Sequence, residues 1–264
     1  MRTRSIALAV VVVALVAASV ASAQTSRYIG LGGGIALTRD AAAVDLNPAA
    51  LGALEIGAKA PGQFQFEIAG TFEVAGDQDV WAVNLAGGPA QAGWGFGASY
   101  FDASPGSYDY DGWNFGVGKQ VDENVFVGAA INKYDYMDDD ETSYTLGALF
   151  VGDRIDWGFV INDVTDQTTG LVYNAGAAAD LAPGWTALFD AWDITDQFDQ
   201  SFSLGVEFTP KGNLAFRAGM FEGGNFSAGV GFKADRFAID IAYAQADDDA
   251  DADDSIFVTA STNL

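Results

Sequence analysis

The sequence predicts an all-β fold, an antiparallel transmembrane β-barrel of about 14 strands with an N-terminal plug segment. Three observations predict it. Apolar residues alternate with small or polar ones at a period of two through most of the chain. The connections between these runs are long and short by turns, as in barrels with short periplasmic turns and longer external loops. No stretch beyond the leader approaches the roughly 18 consecutive apolar residues of a membrane helix, so a spanning mature chain must cross with strands.

The hairpin at residues 225–243 shows the alternation most fully. Phe226, Ala228, Val230 and Phe232 share one face, and after a turn at Asp235 and Arg236 so do Phe237, Ile239, Ile241 and Tyr243. Ser227, Gly229, Gly231 and Lys233 oppose the first set, and Ala238, Asp240 and Ala242 the second. A face this small and polar suits the lining of a barrel whose oily side meets lipid.

Residues 1–23 read as a cleaved signal peptide. Arg2 and Arg4 open it, an apolar run fills residues 6–20, and Ala21-Ser22-Ala23 supplies the cleavage pattern. Cleavage removes two of the 12 basic residues and none of the 36 acidic ones, moving the net charge from −24 to −26. Nucleic acid is not an expected partner for such a chain. The sequence has no Cys and no His, which excludes disulfides, thiol chemistry and the Ser-His nucleophile arrangement. No nucleophile and base pair up, so the expectation is a protein that is not an enzyme and carries no cofactor or resident metal.

Residues 24–60 differ in composition from the alternating remainder of the chain. The stretch 27–37 is glycine-rich, but Ile35 stands where a dinucleotide loop needs glycine. The stretch 38–54 is alanine-rich, with a helix start at residues 38–40 and a break at Asn47-Pro48. Alanines at 41–43 lead into Asp45-Leu46-Asn47-Pro48-Ala49-Ala50-Leu51. This segment resembles the N-terminus of the FadL-type long-chain fatty-acid transporters and of the related PorV-like barrels, with Asn47, Pro48 and Ala49 as the shared motif and Ala50 where that family usually has glycine. The resemblance implies that residues 24–60 fold inside the barrel as a plug, or hatch, and that residues 61–264 form its wall.

Strands are expected at 64–74, 81–87, 94–101, 113–120, 125–135, 144–151, 155–161, 171–180, 185–193, 201–209 and 214–221, then the hairpin, then 255–264. Outer connections are expected at 75–79, 102–111, 136–143, 162–170, 194–200, 222–225 and 245–254, and shorter inner ones between them. Trp94, Trp157, Trp185, Phe208 and Phe237 lie beside the inner turns, and Tyr100, Trp113 and Tyr243 toward the outer loops, as two aromatic girdles. The chain ends in Leu264, where signals read by the barrel-assembly machinery finish in an aromatic residue.

A wall of about 14 strands encloses more space than its own side chains fill. Its inward positions carry many glycines, and polar groups expected to line the lumen are Glu67, Glu73, Asn132, Asp156, Asn174, Asp190, Glu207, Arg217, Lys233 and Asp240. Register places Arg217 diagonal to Glu207 and Lys233 diagonal to Asp240. These pairs read either as a selectivity network along a path or as charge compensation between wall and plug. The acidic runs at 138–141 and 247–254 read as solubilising loops or loose divalent-ion sites. An EF-hand starting at Asp249 would need Gly at Asp254 and Glu at Ala260.

Two functions fit these features. One is passive transport of small, hydrophobic molecules across the bacterial outer membrane, as the resemblance implies. The other is a PorV-like scaffold for secretion or surface attachment with a closed lumen. Expected partners are outer-membrane lipid, a small hydrophobic ligand and the assembly machinery. A closed sheet leaves no edge to pair, so a monomer is expected.

Overall fold

A computed structural model describes residues 25–56, 60–76, 79–104, 110–136, 139–165, 170–195, 200–210, 213–221, 224–246 and 253–264. The leader and the acidic residues 138 and 247–252 lie outside the described residues. Fourteen strands succeed one another around a closed barrel: β1 Phe64–Ala75, β2 Trp81–Pro89, β3 Trp94–Ala103, β4 Tyr110–Asp122, β5 Val125–Tyr136, β6 Asp139–Phe150 and β7 Ile155–Asn162, then β8 Val172–Ala182, β9 Trp185–Trp192, β10 Ser201–Phe208, β11 Leu214–Phe221, β12 Asn225–Ala234, β13 Phe237–Ala244 and β14 Ser255–Asn263. Each is antiparallel to the next, and β14 closes on β1 from Glu67↔Asn263 to Ala75↔Ile256. Every strand is thereby paired on both sides, which removes the free edges an open sheet would expose.

Period-two alternation decides which face each residue takes. In β1, Phe64, Ile68, Phe72 and Val74 are exposed on the outside, whereas Gln65, Ala69 and Thr71 are buried on the inside. The same division continues with Phe115, Val117, Trp157, Phe159, Phe202, Leu204, Phe216 and Ile241 outward and Asn114, Val160, Asp190, Ser203, Arg217 and Ala242 inward. The expected girdle residues face outward too, and two neighbouring-strand pairs stack closely: Trp185 with Phe208 and Tyr100 with Trp113, each with centroids 4.4 Å apart. Among the described residues no helix is long and apolar enough to cross a membrane.

One rim carries the connections 90–93, 123–124, 151–154, 183–184, 209–213 and 235–236, and the other carries 76–80, 104–109, 163–171, 193–200, 222–224 and 245–254. The expected long loop at 136–143 is absent. β5 and β6 instead continue to a hairpin that closes at Tyr136↔Asp139. The acidic residues there suggested a loop, but β4 offers β5 a full ladder up to Tyr110↔Tyr136, and side chains at a wet rim tolerate charge. Backbone pairing therefore outweighs the composition of residues 140–143.

Inside the barrel lies the N-terminal segment, residues 25–56. It comprises the helix α1 Ser26–Leu31, the short helix α2 Ala43–Leu46 and a 3₁₀ turn Pro48–Ala53. Gly32 ends α1 in the left-handed region, with φ 74°, and its N–H returns to Ile29 O. The buried core of the molecule is this segment against the inner wall: Val44, Leu51 and Ile56 with Phe126 and Leu149, Tyr28 and Leu31 with Leu188, and Ile29 with Phe257.

Candidate functional site: the lumen and its inner segment

Inward glycines let the inner segment lie directly on the wall. A Cβ at Gly128 would sit 2.3 Å from the Pro48 carbonyl, one at Gly118 2.5 Å from it, and one at Gly147 3.0 Å from the Ala49 nitrogen. Further round, Gly205 and Gly219 face the Leu31 carbonyl at 2.3 and 2.5 Å, and Gly158 faces that of Ile35 at 2.6 Å. No side chain fits in such gaps, so the glycines of β4 to β7, β10 and β11 form a belt shaped to a backbone.

Polar contacts fix the segment along its length. Ser26 meets Thr259 twice, through its N–H at 2.7 Å and hydroxyl to hydroxyl at 2.8 Å. Arg27 grips Glu207 with two nitrogens, at 3.2 and 3.0 Å. Asp190 accepts the Gly34 N–H at 2.6 Å and the Ile35 N–H at 3.3 Å. Arg39 pairs with Asp156 on β7 and with Glu55. Asn47 donates to Ile35 O at 3.1 Å and Ala148 O at 3.2 Å, while its own side-chain oxygen caps the Ala49 N–H at 3.1 Å. The Asn-Pro-Ala motif is thus a joint: Asn47 ties segment to wall, Pro48 sets the first position of the 3₁₀ turn, and Ala49 is small enough to be fully buried.

The polar residues expected to line the lumen face inward but form different partnerships. Glu67 accepts the Ala41 N–H at 3.3 Å, and Glu73, near the long-loop rim, accepts Ser255 Oγ at 2.6 Å. Asn132 reaches Thr145 Oγ1 at 2.8 Å, and Asn174 accepts the Asp193 N–H at 2.8 Å. One register and one partnership need correction. Arg217 stands directly opposite Glu207, not diagonal to it, with Nε 2.6 Å from Oε2. Lys233 does lie diagonal to Asp240, opposite Ala238, but the Asp240 carboxylate pairs with Arg217. Gly231 explains the second: a Cβ there would lie 2.2 Å from Asp240 Oδ1 and 2.8 Å from Arg217 Nη1, so its absence lets the two meet across β12. Lys233 instead lines a cavity.

One constellation has no counterpart among the sequence-based expectations. Asn84, Ser99 and Asn114 oppose one another across β2, β3 and β4, and all three donate to the carboxylate of Asp45. Burial pushes the Asp45 carboxyl up to about 7, a shift its three donors only partly offset. Toward the long-loop rim, Phe101, Tyr110 and Tyr134 stack inward beyond this row, with centroids 5.1 to 6.0 Å apart. The available signal was the row of inward polar residues at one height, visible only once three strands are in register.

Two cavities open toward the short-turn rim. The larger, about 570 Å³, lies between the inner segment and β10 to β14 and is lined by Arg27, Arg39, Asp40, Glu67, Arg217 and Lys233 among others. The smaller, about 360 Å³, lies beyond Arg39 against Trp94 and Phe126. Among the described residues, no group of three or more acidic side chains is placed to hold a metal ion.

A closed barrel of 14 antiparallel strands, oily outside and small or polar inside, with its own N-terminal segment in the lumen, has the architecture of outer-membrane β-barrels. Within that class the chain shares the fold of FadL-type hydrocarbon channels. It is similar to the Pseudomonas putida toluene transporter TodX, at TM-score 0.62 and 13% identity over 91% of this chain and 97% of that one. It is similar to the CymD monoaromatic hydrocarbon channel, at TM-score 0.60 and 13% identity over 89% and 97%. The Acinetobacter baumannii outer membrane protein Omp33 matches at TM-score 0.57 and 13% identity, over 78% and 100%. No family model matches the sequence. No curated protein matches it either.

Proposed function

We propose that the chain, freed of a signal peptide at residues 1–23, is an outer-membrane channel for passive passage of small hydrophobic molecules, with residues 24–60 as its plug and 61–264 as its wall. The observation that supports this reading is the glycine belt: the wall receives the backbone of a separate segment directly, where a continuous core would interlock side chains. The shared fold with a toluene transporter and a monoaromatic hydrocarbon channel supports a hydrophobic cargo. Glu67, Asp156, Asp190 and Glu207 act as catches for the plug, while Glu73, Asn174, Arg217, Lys233 and Asp240 complete the polar lining. Asn47, Pro48 and Ala49 form the plug's fixed joint. TodX and CymD are barrels of the channel kind and lend the secretion-scaffold alternative no support. Lipid and the assembly machinery are the chain's partners, and it works as a monomer.

A reversible lock tests the reading. The chain has no cysteine, so Ser26→Cys with Thr259→Cys introduces one disulfide where two hydroxyls lie 2.8 Å apart. In liposomes whose outer leaflet contains lipopolysaccharide, uptake of a radiolabelled monoaromatic compound should stop on oxidation and return with dithiothreitol. Uptake equal to that of empty liposomes in every state defeats the channel reading, and uptake indifferent to the lock defeats the moving plug.

A further inference from the structure

The plug covers a wall whose charge is strongly one-sided. The inward face carries Glu67, Glu73, Asp156, Asp190, Glu207 and Asp240, and Arg217 and Lys233 are its only inward strand cations among the described residues. While the segment is seated, Arg27 occupies Glu207, Arg39 occupies Asp156, and the Gly34 and Ile35 N–H groups occupy Asp190. Its departure removes both arginines and both N–H donors at once. Glu67 loses the Ala41 N–H as well, so four carboxylates then lose partners, whereas Arg217 keeps Glu207 and Asp240.

The cavity of about 570 Å³ already opens from the short-turn rim onto this wall, past Glu67 and Lys233. Among the described residues, the seated segment lies between it and the long-loop rim. We infer that the lumen, each time the segment leaves it, is a cation-selective aqueous pore, an activity separate from passage of hydrophobic molecules. This rests on the proposed movement of the plug. Carboxylates lining a water-filled passage raise the local concentration of cations and repel anions, as rings of Asp and Glu do in cation channels. At about 0.1 M salt the screening length is about 10 Å, so the wall charges act across the lumen; at about 1 M it is about 3 Å, and ions on the axis no longer sense them.

Single-channel recording on the full-length chain in planar bilayers, under a tenfold KCl gradient, tests this. The proteins are the wild type, an Arg27→Gln/Arg39→Gln variant that loosens the segment, and the Ser26→Cys/Thr259→Cys lock. Should the loosened variant fail to give the heat-modifiable band of a folded barrel, spontaneous openings of the wild type at raised voltage serve instead. The expected result is openings abolished by oxidation of the lock, with a reversal potential on the cation side near 0.1 M that collapses toward zero near 1 M. Asp156→Asn with Asp190→Asn should move it toward zero at low salt. Lock-sensitive openings that are unselective or prefer anions overturn the inference and leave the plug reading standing, as does silence of every folded protein. Currents indifferent to the lock overturn the plug reading and this inference with it.

Discussion

Gly128→Ala isolates the contact between wall and inner segment. A methyl at this position of β5 would lie 2.3 Å from both the carbon and the oxygen of the Pro48 carbonyl and 2.4 Å from the Ala49 nitrogen. Ordinary carbon contacts are about 3.5–4.0 Å, so the segment must retreat by about 1 Å or more, and backbone on both sides gives it no side chain to rotate away. Overpacking of this kind costs about 1–3 kcal/mol, which is roughly a 5- to 150-fold shift away from the seated state. The usual gain from replacing glycine, a narrower unfolded ensemble, does not help, because the barrel is folded in both states. Trypsin reports the shift, since Arg27 and Arg39 are half-buried inside the barrel and only a displaced segment presents them as cleavage points. Gly128→Ala should be cut faster by about that factor in detergent micelles. Gly229→Ala, 3.2 Å from the Ile241 carbonyl, should be milder. Gly70→Ala, on the outer face and 3.4 Å from the Phe72 ring, should match the wild type. Equal cutting of Gly128→Ala and Gly70→Ala would refute the packing of the Pro48 turn on β5.

Other perturbations separate the remaining forces. Asp45 ionises less readily in place than in an unfolded chain, so its contribution to seating is full below its ordinary carboxylate range near 4 and declines as pH rises toward about 7; trypsin protection should weaken over that window and flatten in Asp45→Asn. Arg217→Ala takes from Asp240 its arginine and leaves Glu207 with Arg27 alone, and should lower the urea midpoint as expected for a loss of about 3–5 kcal/mol. Lys233→Ala, an exposed rim cation, should cost about 0–1 kcal/mol in the same titration. Leu204→Arg, mid-strand on the outer face, should impair insertion into liposomes by about 2–4 kcal/mol; insertion at wild-type yield would contradict the lipid-facing assignment.

Much of the wall was legible because each strand signals its own two faces. The hairpin at 225–243 needed no partner to show that Phe226 and Ile241 point one way and Gly229 and Asp240 the other. Ends of strands were harder, since residues 139–143 read as an acidic loop until the β4 ladder is considered. Side-chain partnerships were harder still. That Gly231 opens a gap for Arg217 to reach Asp240, or that Asn84, Ser99 and Asn114 converge on Asp45, depends on register between strands and on where the inner segment lies. Neither quantity has a local trace in the residues.

The two faces of these strands obey different physics, and that difference bears on the plug movement proposed above. Outside, each strand contributes large side chains such as Phe72, Phe115 and Phe216, which lipid accepts and water rejects. Such a surface tolerates almost any apolar residue, which is how a fold can persist at 13% identity. Inside, the contacts are of another kind: backbone on glycine, alanines such as Ala42, Ala43, Ala49 and Ala50, and hydrogen bonds to Asp45, Asp190 and Glu207. Unseating small residues and charged catches exposes little oily surface, and water can replace the lost hydrogen bonds. A segment held in this way is retained yet releasable, whereas no strand could leave the wall without breaking its ladder in lipid, where nothing replaces it.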